Sequence, residues 1–358
     1  MGEEITTRNK LVSILGKRLG KNSFEMPSID YWQPTGCLPL DLAIRDYKQP
    51  CGLPAGKVTE VYGKPGASKT AFLCRIIAEC QQAGGFGVYV NTAEQGFNPE
   101  WGHACGVSFD DSCWLLANAF SLESAFQSVE DVVGEYHDSE RPFVIVVDSV
   151  SGSTIVDNTM DERAVKDNAP AASGAKFLHE WFRRGVLYYL GQSRITVVVT
   201  RHLTESPRPF AGETTTHGSA LNFYSWLRLK LTSKRMEDAT TGVHTGYWVT
   251  AKITRSKVGP IDTEVSMPLY RGRGWDPGLE IVWWLQQNGA LDAAKAEGGG
   301  ARGKKGSVGW LWDGAALTTP ELVRLYYDNA GVRAAMRDLV ENHRAYTTAE
   351  KKQRGKSR

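Results

Sequence analysis

The chain has 358 residues, 41% of them hydrophobic, enough to bury a full core with room for one large domain and smaller appendages. Lys and Arg number 42 against 40 Asp and Glu, so the formal net charge is only +2. A global basic field for nucleic acid is excluded, and any such site must come from local geometry. Six cysteines (Cys37, Cys51, Cys74, Cys80, Cys105 and Cys113) include no C-x-x-C pair, so they read as reduced thiols and not as zinc ligands.

The N-terminal MGEEITTRNK carries acids where a signal peptide needs a basic segment and an apolar core. No apolar run approaches the roughly 18 residues of a membrane span, so a soluble, cytoplasmic protein is expected. Leu11, Ile14, Leu15 and Leu19 fall at helical spacing, with Lys17 and Arg18 on the other face. Such a short amphipathic helix cannot bury its stripe alone, and must pack on its own domain or on a neighbouring subunit. Residues 23–34 read as a linker. From Lys57 the pattern alternates: strand 58–63, helix 69–83, strand 86–91, helix 122–136, strand 143–148, helix 174–190 and strand 195–200. FVIVVD and ITVVVT are continuous apolar runs, as strands covered on both faces require, so a largely parallel sheet flanked by helices is predicted. After Tyr224 the runs WLRLKL, YWVTAKITR and EVSMPLY follow without long helices and predict an antiparallel extension. GGGARGKKG, residues 298–306, reads as a flexible basic hinge or hairpin tip. Thr319 and Pro320 read as N-cap and first position of a helix, with one or two helices to about Arg344 and a disordered basic tail.

The strongest local motif is GKPGASKT: Gly63, Lys64, Pro65, Gly66, Ala67, Ser68, Lys69 and Thr70, followed by Ala71. It lies between a strand and a helix, where backbone N–H groups and a helix N-terminus can cradle phosphates. Lys69 then reaches the β- and γ-phosphates, and the Thr70 hydroxyl ligates Mg²⁺. Ser68 departs from the usual glycine and adds a Cβ at a tight position. The bland alternative is a Gly-rich turn without nucleotide. Asp148 ends its strand at the carboxyl edge, where ligands bind in open α/β sheets, and can hold Mg²⁺ through water. Glu94 follows the VYVN strand in the same way and can orient an attacking water.

With these motifs in order, residues 35–290 resemble the bacterial RecA and phage UvsX recombinases. The resemblance rests on TGCLPLDLAI with GLPAGKVTEVYG, on NTAEQGFNPEW, on VVDSVSG, on ETTTHGSALNFYSWLRLKL, and on AKITRSKVGP with MPLYRGRGWD. It implies a RecA-like P-loop ATPase core. By resemblance, Glu94 is the general base, Trp101 stacks on adenine and Tyr270 is a second nucleotide-side aromatic. His202 takes the γ-phosphate sensor position. Arg255 and Lys257 match cations that reach a neighbour's ATP, and Phe223 matches an aromatic linking sensor to subunit contact. The ordinary alternative for His202 is a surface loop histidine, and for Arg255 and Lys257 a solvated basic strand end.

The resemblance also implies two DNA-binding loops. The second, 203–217, offers Arg208 and Phe210 or Pro207, then Thr216 and His217, and opens a helix at Gly218 and Ser219. His217 stands where the family has glycine. The first, 157–172, offers Arg163 and Lys166. ATP and Mg²⁺ are the implied cofactors. Single-stranded DNA, homologous double-stranded DNA and further copies of the chain are the implied partners, with single-strand-binding and mediator proteins as further candidates. The expected organisation is an N-terminal polymerisation helix and linker (1–34), the ATPase core (35–290), a small C-terminal domain (291–345) and a basic tail (346–358), in a host cytoplasm if phage-encoded. Two other readings stand beside it: a recombinase-like DNA-binding or mediator protein that does not hydrolyse ATP, and a hexameric helicase of the same fold.

Overall fold

The computed structural model describes residues 7, 9–15, 28–92, 96–152, 170–205, 213–215, 219–238, 241–294 and 309–342. Residues 1–30 and 31–358 form two units. In the first, residues 9–15 are helical (α1), as the spacing of Leu11, Ile14 and Leu15 predicts.

The second unit opens with β1 (Trp32–Gln33), α2 (Leu38–Ile44) and β2 (Leu53–Pro54), so the end of the expected linker is already in the fold, paired with β2. Then come β3 (Val58–Gly63), α3 (Lys69–Gln82), β4 (Phe86–Asn91), α4 (Pro99–Ala104), β5 (Trp114–Asn118), α5 (Leu122–Tyr136) and β6 (Phe143–Asp148). After these run α6 (Pro170–Arg183), α7 (Val186–Leu190), β7 (Ile195–Glu205), β8 (Glu213–Thr215) and α8 (Ala220–Tyr224). Strands β9 (Leu227–Glu237), β10 (His244–Ser256), β11 (Glu264–Tyr270) and β12 (Gly274–Trp275) lead into α9 (Pro277–Asn288). A small sheet of β13 (Ala293–Ala294), β14 (Gly309–Trp312) and β15 (Ala315–Leu317) precedes α10 (Thr319–Asp328) and α11 (Ala330–Asn342). The glycine-rich segment 298–306 lies outside the described residues.

The main sheet has the order β12-β11-β10-β9-β3-β7-β6-β4-β5. From β9 to β5 every ladder is parallel, and from β9 to β12 every ladder is antiparallel. This is the predicted parallel sheet with an antiparallel extension. Side-chain alternation sends Val144 and Val146 of β6 to one face and Phe143, Ile145 and Val147 to the other. The first face is covered by α3 through Phe72, Leu73, Ile76 and Ile77. The second is covered by α5, α6 and α7 through Phe126, Val129, Trp181 and Leu190. A third cluster joins α2, α9, α10 and α11 through Leu42, Trp284, Tyr326 and Met336.

Three local expectations are corrected. The helix expected over 174–190 is two helices, broken at Arg184 and Gly185; a glycine inside a helix costs roughly 0.5–1 kcal/mol relative to alanine. The cap of α10 is Thr318 rather than Thr319, because Thr318 forms a reciprocal capping box with Glu321. The strand expected to stop at Thr200 continues to Glu205. Among the described residues no helix is long and apolar enough to cross a membrane.

Candidate functional site

Strand register brings Gly63 of β3 beside His202 of β7, and Asn91 of β4 beside Asp148 of β6. All four residues therefore sit at the carboxyl edge of the parallel strands. The loop after Gly63 needs unusual backbone. A Cβ on Gly63 would lie 2.4 Å from the carbonyl oxygen of Leu231, and Gly66 has φ +78°. Ser68 caps α3 in the left-handed region at φ +62°, a conformation costing a side-chain residue about 1–2 kcal/mol. Its hydroxyl lies 3.1 Å from that of Ser233 on β9, which holds the loop against the sheet.

The buried Lys69 ammonium donates to the carbonyls of Gly63 and Lys64 at 3.1 and 3.2 Å and stands 3.5 Å from His202 Nδ1. Asp148 accepts three hydroxyls: Thr70 at 2.7 Å and Tyr89 at 2.6 Å on Oδ2, and Thr200 at 2.5 Å on Oδ1. Burial, with Asp148 beside it, pushes the Tyr89 phenol well above its ordinary pKa, so the phenol stays a donor. The His202 N–H donates to Ser151 Oγ at 2.7 Å.

A cavity of about 210 Å³ opens between these groups, lined by residues 66–71, Gly96, Trp101, Asp148 and His202. One wall is a cation and a turn rich in backbone N–H groups; another is the hydroxyl–carboxylate pair Thr70 and Asp148. The first suits phosphate, and the second is a hard oxygen set of the kind Mg²⁺ takes. Trp101 adds an aromatic face.

The remaining expected residues fall elsewhere. Tyr270 ends β11 with Arg273 over its ring at 5.6 Å, and does not line the cavity. Arg255 and Lys257, at and beyond the end of β10, do not line it either. Arg255 Nη1 donates to the carbonyl of Asn222, and Nη2 donates to that of Phe223 at 3.3 Å. Lys257 lies over the Trp226 ring at 5.3 Å and Lys57 over the same ring at 4.5 Å. Burial, then the like charge of Arg255, lowers the Lys257 pKa. The Phe223 side chain is 68% exposed. Ser219 caps α8 and is exposed. Glu94, Arg163, Lys166, Pro207, Arg208, Phe210, Thr216, His217 and Gly218 lie outside the described residues.

Sequence reasoning missed Tyr89, Thr200 and Ser151, which hold the cavity's polar groups. It also missed Glu60, a fully buried carboxylate on β3 that binds Arg201 and Arg228. A signal was present: an acid inside VTEVYG and an arginine closing VVVTR are charges within buried runs, and such charges need partners.

A model of the RecA N-terminal domain family matches residues 11–276. Protein RecA of Thermus aquaticus is 30% identical over 288 residues, covering 78% of this chain and 79% of that protein. Protein RecA of Caulobacter sp. (strain K31) is 29% identical over 279 residues, covering 76% and 72%. Protein RecA of Synechocystis sp. is 32% identical over 230 residues, covering 63% and 60%.

Proposed function

The chain belongs to the RecA family, and from that membership we propose that it is an ATP-dependent DNA recombinase. In this reading it forms a helical filament on single-stranded DNA and catalyses homologous pairing and strand exchange with double-stranded DNA. The observation that carries the reading is the convergence of Lys69, Thr70, Asp148, Trp101 and His202 on one cavity at the carboxyl edge of the sheet.

The backbone from Gly63 to Ala71 cradles the triphosphate, and Lys69 exchanges its present carbonyl partners for the β- and γ-phosphates. Thr70 and Asp148 would hold Mg²⁺, which when bound neutralises charge on the phosphate oxygens; the 2.7 Å hydrogen bond between the two supports a shared oxygen site. Trp101 covers the base. Glu94, three residues beyond β4, accepts the proton of the attacking water. His202 hydrogen-bonds the γ-phosphate and loses that partner on hydrolysis. Arg255 and Lys257 serve a neighbouring subunit's nucleotide, a role supported by their lying outside the lining of the chain's own cavity, and Tyr270 serves as a second nucleotide-side aromatic. The DNA strand is gripped through its phosphates by the two loops carrying Arg163, Lys166, Arg208, Phe210 and residues 216–219, so its bases stay free to pair. ATP then acts as a population switch for DNA affinity. The organisation into 1–34, 35–290, 291–345 and 346–358 belongs to the same proposal, with the first segment joining neighbouring subunits.

Lys69→Ala should abolish ATP-supported strand exchange, and normal exchange in that variant would remove the nucleotide role. Glu94→Gln should bind ATP but not turn it over; persistent turnover would mean another base. A second reading, a DNA-binding or mediator protein without hydrolysis, is favoured by Ser68 in a glycine-like conformation. Single-stranded-DNA-stimulated ATPase activity, followed by strand exchange, separates the two. Electron micrographs with a slowly hydrolysed ATP analogue separate open filaments from the closed rings of a helicase.

A further inference from the structure

A parallel sheet rarely carries charge in its interior, yet here three charged side chains meet within it. Glu60 on β3 and the Arg201 side chain on β7 are fully buried. Arg201 Nε donates to Glu60 Oε1 at 2.7 Å, and Arg228 of β9 donates from Nε to Oε2 of the same carboxylate. Two cations share this one carboxylate in a low-dielectric setting. Burial, together with the nearby Arg228, presses the Arg201 pKa below its ordinary value despite the attraction of Glu60. Every further acceptor offered to these guanidinium groups counts for more than at a surface.

One such acceptor comes from outside the sheet. Arg201 Nη2 donates to Asn222 Oδ1, on α8, at 2.6 Å. The backbone carbonyl of the same Asn222 accepts from Arg255 Nη1. Asn222 thus stands between two arginines, meeting one with its side chain and the other with its main chain. Arg201 immediately precedes His202, which lines the cavity. Arg255 is the cation proposed for a neighbour's nucleotide.

We infer that Asn222 is a positioning residue that couples strand β7 to Arg255, so that the state of the phosphate site at His202 sets where the Arg255 guanidinium is held. This rests on the ATPase reading above. The physical basis is a difference in stiffness. Glu60, Arg201 and Arg228 are pinned to three neighbouring strands by ladder hydrogen bonds and by one shared carboxylate. Helix α8 has only five residues. A shift of β7 at His202 crosses one peptide to Arg201. The short, directed bond to Oδ1 then draws α8, and the carbonyls of Asn222 and Phe223 carry Arg255 with it. Withdrawing Oδ1 breaks this link but leaves the Glu60 triad intact.

The test is single-stranded-DNA-stimulated ATP hydrolysis by the full chain. Asn222→Ala should lower kcat about tenfold or more while KM for ATP stays within about twofold, the signature of an interaction needed only for turnover. Asn222→Asp retains an oxygen at the Oδ1 position and should recover kcat to within about threefold of the unsubstituted chain. Combining Asn222→Ala with Arg255→Ala should cost no more than Arg255→Ala alone, to within about twofold, because the two act in series. If Asn222→Ala melts early, Asn222→Ser withdraws the amide oxygen with less disturbance and carries the same expectation. Unchanged kcat in the Ala and Ser variants, failure of the Asp variant to recover, or a multiplicative loss in the double variant would each overturn the coupling while leaving the ATPase reading in force. Absence of DNA-stimulated hydrolysis in the unsubstituted chain would instead remove the ATPase reading, and the coupling with it.

Discussion

Replacing Tyr89 by Phe removes one oxygen and nothing else from the centre of the candidate site. The ring is fully buried and packs against Phe97 at 4.7 Å and Trp114 at 6.1 Å, and Phe keeps both contacts. The donation to Asp148 Oδ2 at 2.6 Å is lost with the interaction between the phenol and Thr70, leaving Thr70 as the hydroxyl on that carboxylate oxygen. Hydrogen bonds to charged groups contribute about 1.5–3 kcal/mol, so the variant should lose that much stability. For a chain of this size each kcal/mol moves the melting temperature by about 2 °C or less, so a fall of roughly 2–5 °C is expected. Thermal denaturation without nucleotide reads it. The loss should largely vanish when Asp148→Asn is the background, since the charge that strengthens the bond is then gone. A Tyr89→Phe protein melting with the unsubstituted chain, or an equal loss in both backgrounds, would refute the assignment of Tyr89 as the donor that steadies Asp148.

Burial, opposed by hydrogen bonds from Thr35 and the charge of Arg75 and aided by the like charge of Glu280, pushes the Asp41 carboxyl up from 3.8 to about 7. The folded state therefore holds a proton that the unfolded state has released. Stability should fall as pH rises from about 4 to about 7, by about 4 kcal/mol in all, and Asp41→Asn should flatten that slope in denaturation curves; an unaltered slope would assign the titration elsewhere. Gly63→Ala puts a Cβ against the Leu231 carbonyl and should cost about 1–3 kcal/mol of stability along with affinity for an ATP analogue, read by melting and by titration. Arg75, buried, is bonded to Glu280 at 2.8 Å; burial opposes its charge, but Glu280, with Cys37 and Glu79, offsets this and raises its pKa. Glu280→Ala leaves that guanidinium without its carboxylate and should destabilise by about 3–5 kcal/mol in chemical denaturation, where Arg75→Met with Glu280→Leu should recover much of the loss.

Much of the architecture was legible because its strands are covered on both faces. FVIVVD and ITVVVT have to be apolar throughout, and that makes them visible without a partner. The phosphate loop was legible for a related reason: its chemistry lives in backbone N–H groups and one lysine, all within eight consecutive residues. By contrast β5, whose Leu115 and Leu116 are exposed at the sheet's edge, shows no alternation from which to read a strand. The break at Gly185 was hidden because the apolar spacing of Phe177, Trp181 and Tyr189 continues across it.

The residue order determined that a strand ends at Gly63, that a lysine and a hydroxyl follow it, and that an aspartate ends a second buried strand. It could not determine that β7 lies between those two strands, because pairing order is a property of the folded sheet and not of any local run. That order is what sets His202 beside Gly63, aims three hydroxyls from three elements at Asp148, and brings Glu60, Arg201, Arg228 and Asn222 together from positions up to 168 residues apart. Hydrogen bonds and ion pairs act over a few ångströms of space, and only the tertiary structure converts distance along the chain into that separation.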